Sequence, residues 1–415
     1  MTNHLFLLYI DPGTGSALFS IIIGLAAAVY FLFQALFIKF KVFITGGKAK
    51  HGAKNKFVIY AEDKRYWTLF KPIVEEFEKR EIEILYLTSS QDDPVFETGC
   101  KYVKAEYLGE GNKAFTRLNF LSADFVLSTT PGLNVYQWRR SKMVKHYGHI
   151  FHTPVEAPMY ELFGMDYFDS ILIPGHDSQI EYIRNLEKIR NLPKKQIVTV
   201  GCPYLDEYAK KMASIPPEES HIFTVLVSPS WGKTALLSRF GKKLLDPLAK
   251  TGWRIIVRPN PQSLIVEKEL IERLSKRYAE ISCLEWDFKI ENIFSLKKAD
   301  VMISDYSNIM LDFIFLCNKP VLYVSEKLDL RTRDAFHAYE TQDEFWTFQK
   351  LKKMGIELKQ EMFEALPDLI SRVSLDTTMK SARDDAKAEA WNCQGEAGKY
   401  AADFMIKTAE EINNK

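Results

Sequence analysis

The sequence lacks the cysteine and charge patterns that mark several large classes of protein. Its five cysteines lie far apart and include no CxxC pair: Cys100, Cys202, Cys283, Cys317 and Cys393. This spacing argues against a zinc site or a disulfide framework and is typical of a reducing compartment. An excess of one charge is also lacking, since 55 Lys and Arg balance 54 Asp and Glu, which leaves a net charge of +1. That balance argues against a dedicated nucleic-acid-binding protein.

Two familiar ligand motifs are missing as well. The segment Val227–Thr234 ends in Gly-Lys-Thr, but a P-loop requires a glycine where Val227 stands. His149 and His152 lie on a segment that reads as a strand entering a turn, where residues three apart point to opposite faces, so a zinc pair is not expected. No Asp-x-Asp motif follows a predicted strand, and we expect neither a metal nor a cofactor.

One long apolar run occurs near the N-terminus, over residues 17–38. As a helix it would be roughly 33 Å long at about 1.5 Å per residue, and a bilayer's hydrocarbon core is about 30 Å thick. Basic residues follow this run rather than precede it, which argues against a cleaved signal peptide and places the rest of the chain in the cytoplasm. We expect residues 1–45 to be a membrane anchor, either spanning or monotopic.

The remaining sequence alternates short apolar runs with amphipathic helical stretches, which predicts parallel sheets with crossover helices. At 415 residues the chain is long enough for two domains. The polar segment 213–221 contains two prolines and is the best linker candidate. We therefore predict an N-terminal α/β domain over residues 46–213, a C-terminal nucleotide-binding α/β domain over 214–385 and a helix over 386–415.

The two predicted domains contain a similar segment. Ala123–Ser128 and Ala299–Ser304 both read Ala-Asp, then three apolar residues, then Ser, and both precede a polar turn. This similarity favours two related α/β domains that face each other across a cleft.

A phosphate site is predicted where the second of these segments ends. A buried strand there runs into Ser304, Asp305 and Ser307, and an amphipathic helix follows directly. A helix that begins at such a turn presents unpaired backbone N–H groups and the positive end of its dipole, which suits a phosphate. Serine and aspartate are also common helix N-caps, so a purely structural role is the alternative.

Two other predicted strands end in polar loops at the same edge. Arg258 follows the strand residues 255–257, and an arginine at the carboxyl edge of an open α/β sheet suits a phosphate. A surface salt bridge is the alternative for Arg258. His152 follows a third strand, and its pKa near neutrality suits a general base, although a structural histidine is the plainer interpretation.

Five short segments, in this order, resemble the CDP-glycerol glycerophosphotransferase family, which includes teichoic-acid primases and polymerases. They are Phe151-His-Thr-Pro154, Gly201-Cys-Pro-Tyr-Leu-Asp206, Ser228-Pro-Ser-Trp-Gly232, Val257-Arg-Pro-Asn-Pro261 and Ser304-Asp-Tyr-Ser307. The resemblance implies a GT-B architecture of two Rossmann-like domains. It also implies transfer of glycerol phosphate from CDP-glycerol to a hydroxyl of a lipid-linked acceptor at a bacterial cell membrane, with CMP leaving.

The resemblance also implies roles for particular residues. His152 looks like the catalytic base, and Arg258 would offset charge on the departing CMP. The nucleotide and its phosphates would be held by a set of loop and helix residues: Ser230, Trp231, Arg258, Asn260, Ser304, Asp305, Ser307 and Asp312. Since an ionised Asp305 would repel a diphosphate, we expect it to orient serine or backbone groups instead.

One residue departs from the family pattern. Asn260 stands where the family usually has histidine, and an amide supplies neither a proton nor a charge. Two alternatives therefore stay open: a GT-B glycosyltransferase that uses a UDP- or GDP-sugar, and a non-catalytic nucleotide-binding protein of envelope assembly. The choice between glycerol and ribitol, and between one addition and polymerisation, also stays open.

Overall fold

In a computed structural model of the protein, the structure describes residues 29, 55–154, 158–289, 291–305, 307–325 and 327–414. Apart from Val29, the predicted membrane helix over residues 17–38 lies outside the described residues. Among those residues, no helix is long and apolar enough to cross a membrane. Residues 55–415 form one compact unit.

The first half of this unit is a sheet of seven strands, all parallel, in the spatial order β3-β2-β1-β4-β5-β6-β7. The strands are β1 (Asn55–Ala61), β2 (Ile84–Thr88), β3 (Val103–Tyr107), β4 (Ala123–Ser128), β5 (Val144–Ile150), β6 (Ser170–Ile173) and β7 (Gln196–Thr199). The helices are α1 (Trp67–Lys79), α2 (Asn112–Leu118), α3 (Asp177–Arg190) and α4 (Pro203–Ser214).

The second half is a parallel sheet of six strands in the order β10-β9-β8-β11-β12-β13. The strands are β8 (Thr224–Val227), β9 (Arg254–Val257), β10 (Leu284–Trp286), β11 (Val301–Ser304), β12 (Val321–Tyr323) and β13 (Gly355–Glu357). The helices are α5 (Leu236–Leu248), α6 (Ser263–Val266), α7 (Lys268–Arg277), α8 (Ile293–Lys298), α9 (Ile309–Cys317), α10 (Trp346–Met354), α11 (Leu366–Leu375), α12 (Lys380–Ala390) and α13 (Ala397–Asn413).

The two sheets share one topology, because the first six strands of each half have the order 3-2-1-4-5-6. The similar segments of the sequence are the fourth strands, β4 and β11, and each pairs with the first strand of its sheet. Strands β8 and β11 are buried along their whole length, as expected where helices cover both faces of a parallel sheet. The predicted α/β class with two parallel sheets is confirmed.

The carboxyl ends of the two sheets face each other. The segment after β12 contacts the segment after β5: the amide of Asp334 donates to the carbonyl of Tyr160 (2.9 Å), and Glu161 forms a bridge with Arg333. Beside this contact, His176 after β6 stacks on Trp346 of α10, with ring centroids 4.3 Å apart. A ligand held at both edges would therefore lie between the two halves.

The C-terminal region corrects one prediction. Instead of one helix over residues 386–415, the structure has α12 and α13, with a break at residues 391–396. Cys393 and Gly395 both have positive φ in this break (51° and 80°). Helix α13 packs on α1 of the first half, where Gly398 lies so close to Pro72 that a Cβ would be 2.5 Å from its carbonyl. The chain therefore returns to the first half after it completes the second sheet.

Candidate active site

His152 lies where three neighbouring strands of the first sheet end. Its Nδ1 is 2.9 Å from the hydroxyl of Thr129, which follows β4, and 3.3 Å from the hydroxyl of Tyr160. Its ring makes an edge contact with Tyr66, which lies beyond β1, at a centroid distance of 5.4 Å. Among the described residues, Nε2 has no hydrogen-bond partner. The ring is thus held through Nδ1, and Nε2 has no partner in this part of the chain.

The imidazole of His152 is uncharged at neutral pH. Burial among aromatic rings lowers its pKa to about 4, and the positive charge of Arg65 lowers it further in the same direction. A neutral ring can accept a proton, whereas an imidazolium ion cannot. Within the part of the chain that the structure describes, no three His, Cys, Asp or Glu side chains are grouped to hold a metal ion.

A polar pocket of about 410 Å³ lies at the ends of β1 and β2. Its lining includes Arg65, the neighbour of Tyr66, together with carboxylate and hydroxyl groups: Tyr60, Glu62, Asp63, Ser89, Ser90 and Glu110. Side chains of this kind can donate to and accept from hydroxyl groups. The pocket suits a ligand that is rich in hydroxyls.

A second group of polar residues lies where β8, β9 and β11 end. The carboxylate of Asp305 accepts the backbone N–H groups of Ser230 (2.6 Å) and Leu236 (2.8 Å), and so fixes the loop between β8 and α5. Glu267 accepts the N–H of Gly232 in the same loop (3.0 Å). Burial raises the pKa of Asp305, and the donors on Leu236 and Ser230 oppose that shift. Asp305 therefore orients the loop and does not face a ligand.

The serines near Asp305 differ in exposure. Ser304 is fully buried, and its hydroxyl donates to the carbonyl of Ser228 at 2.5 Å, so it holds β11 to the loop after β8. This bond gives the Ser304 side chain a structural role in place of the expected phosphate contact. Ser307 is half-buried at the start of α9, and Trp231 is 51% exposed at the tip of the loop. These two side chains are accessible to a ligand.

Arg258 is engaged within the protein. Its guanidinium is 6% exposed and donates to the carboxylate of Asp287 (2.6 Å) and to the carbonyl of Lys289 (2.7 Å). Burial acts to raise the pKa of Asp287, but hydrogen bonds from Ser295, the Lys289 amide and Arg258 together lower it. Arg258 thus holds the segment after β10, and contact with a leaving phosphate would require this ion pair to open.

Asn260 closes a turn. Its side-chain oxygen accepts the N–H of Gln262 (2.9 Å), and its carbonyl accepts the N–H of Ser263 at the start of α6 (2.9 Å). Where the family has histidine, the Asn260 side chain thus makes a hydrogen bond within its own turn. The side chain remains only partly buried.

Asp312 lies on the buried side of α9. It is 7% exposed, and burial raises its pKa to about 7, although a hydrogen bond with Tyr204 opposes the shift. Tyr204 belongs to α4, so Asp312 faces the helix that joins the two halves. The Asp312 side chain therefore contacts α4, whereas the resemblance implied that it would hold the nucleotide.

The Gly201–Asp206 segment also contacts the residues through which the chain returns from the second half to the first. Gly201 has a φ of +89°, and a Cβ there would lie 2.4 Å from the carbonyl of Asn392. Asp206 accepts hydrogen bonds from the Trp391 ring (2.8 Å) and from the amides of Gly395 (2.8 Å) and Ala397 (3.0 Å). It therefore caps α13. One of the five family-like segments thus holds residues 391–397 in place, where the chain returns to the first half.

The neighbours of His152 were not found from the sequence. The sequence did contain a signal for Thr129, because this residue directly follows a predicted strand that ends in Ser128 at the same sheet edge. Tyr160 had none, because its position depends on Asp334, which comes from the other half of the molecule. Burial raises the pKa of Tyr160 far above its usual value, so its hydroxyl keeps its proton.

Replacing Asp305 with alanine is expected to loosen the loop between β8 and α5. Two backbone N–H groups would lose a charged acceptor, and such a bond contributes about 1.5–3 kcal/mol. Amide hydrogen exchange over residues 229–236 should become faster than in the wild type. Asp305→Asn keeps one acceptor oxygen and should lie between the two. Unchanged exchange in Asp305→Ala would show that the carboxylate does not hold the loop.

Solved structures show which fold class this arrangement belongs to. The wall teichoic acid polymerase TagF superposes with a TM-score of 0.53 at 16% identity, over 86% of this chain and 90% of that chain. A TagF variant soaked with CDPG gives 0.54 at 15% identity, over 87% and 90%. The UDP-GlcNAc 2-epimerase from Neisseria meningitidis bound to UDP-GlcNAc gives 0.53 at 13% identity, over 85% and 100%.

These likenesses define a GT-B fold. At such low identity they establish the fold and not the donor or the reaction. No protein-family profile matches the chain, and no curated protein sequence matches it either.

Proposed function

We propose that this protein is a membrane-anchored transferase that moves glycerol phosphate, or a related polyol phosphate, from CDP-glycerol to a hydroxyl of a lipid-linked cell-surface acceptor. The observation that carries the proposal is the environment of His152: a neutral imidazole at the sheet edge, held through Nδ1, whose Nε2 has no hydrogen-bond partner among the described residues. The choice of donor rests on the five family-like segments. The location, at the cytoplasmic face of a bacterial membrane, rests on residues 17–38 and the basic residues that follow.

His152 would act as the general base. A proton on Nδ1, donated to Thr129 or Tyr160, leaves the lone pair of Nε2 free to take the proton of the acceptor hydroxyl. As that oxygen attacks the glycerol-linked phosphorus, a new P–O bond forms and the P–O bond to CMP breaks. CMP leaves with the bonding electron pair, and the proton stays on His152. The donor's phosphates would also raise the pKa of His152 toward a value that suits proton transfer.

The second half of the molecule would hold the donor. The start of α9 offers the Ser307 hydroxyl and the positive end of the helix dipole to the diphosphate. The loop after β8, fixed by Asp305 and Glu267, would form the opposite wall with Ser230 and Trp231. The polar pocket at the ends of β1 and β2 would receive the hydroxyl-rich acceptor. No cofactor takes part in this scheme.

Product analysis with a panel of donors tests the proposal. The full-length protein in detergent would receive CDP-glycerol, CDP-ribitol or a UDP-sugar, with bacterial lipid extract as the acceptor. We expect release of CMP that depends on the extract, from one or both CDP-polyols, and no nucleotide release from the UDP-sugar. Acceptor-dependent release of UDP would instead identify a glycosyltransferase.

A non-catalytic, nucleotide-binding role is the second candidate. It is favoured by Arg258 and Asn260, since the first is bound to Asp287 and the second closes a turn. Both side chains therefore make contacts within the protein instead of facing a leaving phosphate. Tight binding of CDP-glycerol by equilibrium dialysis, with no turnover on any acceptor, would establish this role.

A further inference from the structure

A cationic groove lies on the outer face of the second half, between α5 and α7. It has a volume of about 800 Å³ and includes Phe240, Leu270 and Leu274 in its lining. The lining also includes six basic residues, and all of them are exposed: Arg239, Lys242, Lys243, Arg273, Lys276 and Arg277. The described acidic residues on α7, Glu269 and Glu272, do not line the groove.

Exposed apolar side chains lie at one end of this groove. Ile265 is 73% exposed, Val266 56% and Leu264 37%, all on the short helix α6 that precedes α7. Trp231 is adjacent to them, because Gly232 donates its N–H to Glu267, the residue after Val266. Glu267 also accepts the hydroxyl of Ser238 on α5. One carboxylate thus joins the apolar cluster to the helix that carries half of the basic residues.

We infer that this face, made of the basic groove and the apolar cluster of Trp231 and residues 264–266, docks on the surface of an anionic phospholipid bilayer. Basic residues attract anionic headgroups, and exposed aliphatic and tryptophan side chains enter the interface between headgroups and acyl chains. A nucleic acid would use the charges but not the aliphatic residues. Basic and exposed apolar side chains on one face therefore favour a membrane surface over a nucleic acid.

The charge at this face is only partly neutralised by the protein. Arg277 pairs with Asp246 at 3.2 Å, and Lys268 pairs with Glu272 at 3.7 Å. Both pairs are exposed and so cost little to separate. No acidic residue is paired with Lys242, Lys243 or Arg273 by any ion pair within the part of the chain that the structure describes. Apart from Trp231, which also belongs to the candidate donor site, this face lies outside the candidate active site, and the inference does not depend on the proposed reaction.

Hydrogen exchange on lipid nanodiscs tests the inference with the full-length protein. Discs of phosphatidylcholine alone would be compared with discs that also contain phosphatidylglycerol. We expect slower exchange over residues 229–242 and 262–277 on the anionic discs only, reversed by high salt. Since each basic residue near an anionic surface contributes about 1 kcal/mol, Lys242→Gln/Lys243→Gln/Arg273→Gln should lower the ratio of docked to undocked protein roughly a hundredfold.

Two variants complete the design. Lys353→Gln/Lys359→Gln/Lys380→Gln removes three exposed lysines elsewhere and should retain the slow exchange. Ile265→Ser should weaken docking while it leaves the charge unchanged. Equal exchange on both kinds of disc, or no association with anionic discs, would overturn the inference. Protection in lipid-free detergent that grows with protein concentration would also overturn it, because a second copy of the chain would then cover the face.

Discussion

Replacing His152 with alanine is expected to lower the rate of glycerol phosphate transfer about 10²–10⁴-fold, the usual contribution of a general base. Donor binding should be unchanged, because His152 lies on the first sheet and the donor is assigned to the second. CMP release under saturating donor measures the rate, and equilibrium dialysis measures the affinity for CDP-glycerol. Thr129→Val, which removes the hydroxyl beside Nδ1, should give a smaller loss in the same direction.

The pH dependence of wild-type kcat/KM gives a second readout of the same residue. A pKa of about 4 for His152 in the free protein leaves the imidazole neutral at pH 6, and it becomes protonated only as the pH falls through about 4. We therefore expect the acid limb near pH 4 and no loss between pH 8 and pH 6 from this group. His221→Ala, at an exposed histidine, should match the wild type. Wild-type rates from His152→Ala would remove this residue from the mechanism.

Replacing Arg190 with glutamine is expected to cause the largest loss of stability, about 3–5 kcal/mol, as when one partner of a buried ion pair is removed. Arg190 lies between two buried carboxylates, with a nitrogen 2.7 Å from Asp166 and another 2.9 Å from Asp334. The Asp334 carboxylate also accepts the amide of Phe163 (2.7 Å). Without Arg190, the contact between the two halves near Tyr160 would hold an unpaired buried charge.

The sign of the pH effect follows from Asp334. Burial raises its pKa to about 6, and Arg190 opposes that shift, so the pKa should rise further in Arg190→Gln. An acid with a raised folded-state pKa binds its proton more tightly when folded, so the variant should regain stability as the pH falls. Urea unfolding at two pH values measures this. Asp334→Asn in the same chain should restore part of the loss at neutral pH.

Arg331→Gln is the matched control for Arg190→Gln. Arg331 pairs with Asp329 at the surface, where the two side chains are 79% and 60% exposed. Such an exposed pair contributes little to stability, so the control should unfold close to the wild type. If the two arginine variants unfold alike, the buried ion pair does not hold the halves together.

Much of the fold could be predicted from the sequence, because its central strands are continuous apolar runs. Ala123–Ser128 forms β4 over its full length, residues 255–257 lie within β9, and β11 lies within Ala299–Ser304. β3 and β10 were not predicted from the sequence, because they lie at sheet edges and carry few apolar residues. The break before α13 was not predicted either, because it depends on a hydrogen bond to Asp206, which lies far away along the chain.

The candidate site could be predicted only in part, for a similar reason. The sequence placed Ser304, Asp305 and Arg258 at strand ends, but not the partners of their side chains. Whether Arg258 faces a ligand depends on Asp287, which comes from a neighbouring strand end. Whether His152 is neutral depends on the rings of Tyr66 and Tyr160, which come from two separate segments. Such contacts are set by tertiary packing, which strand and helix patterns do not contain.

In the proposed reaction, the phosphorus of the donor moves together with its polyol. CDP-glycerol labelled at the glycerol-linked phosphorus tests it most directly, with the full-length protein and lipid extract. We expect the label to enter the lipid product in an amount equal to the CMP released, and His152→Ala to lower the rate of both about 10²–10⁴-fold. Label that remains on a released nucleoside diphosphate, with the polyol alone in the product, would contradict the account.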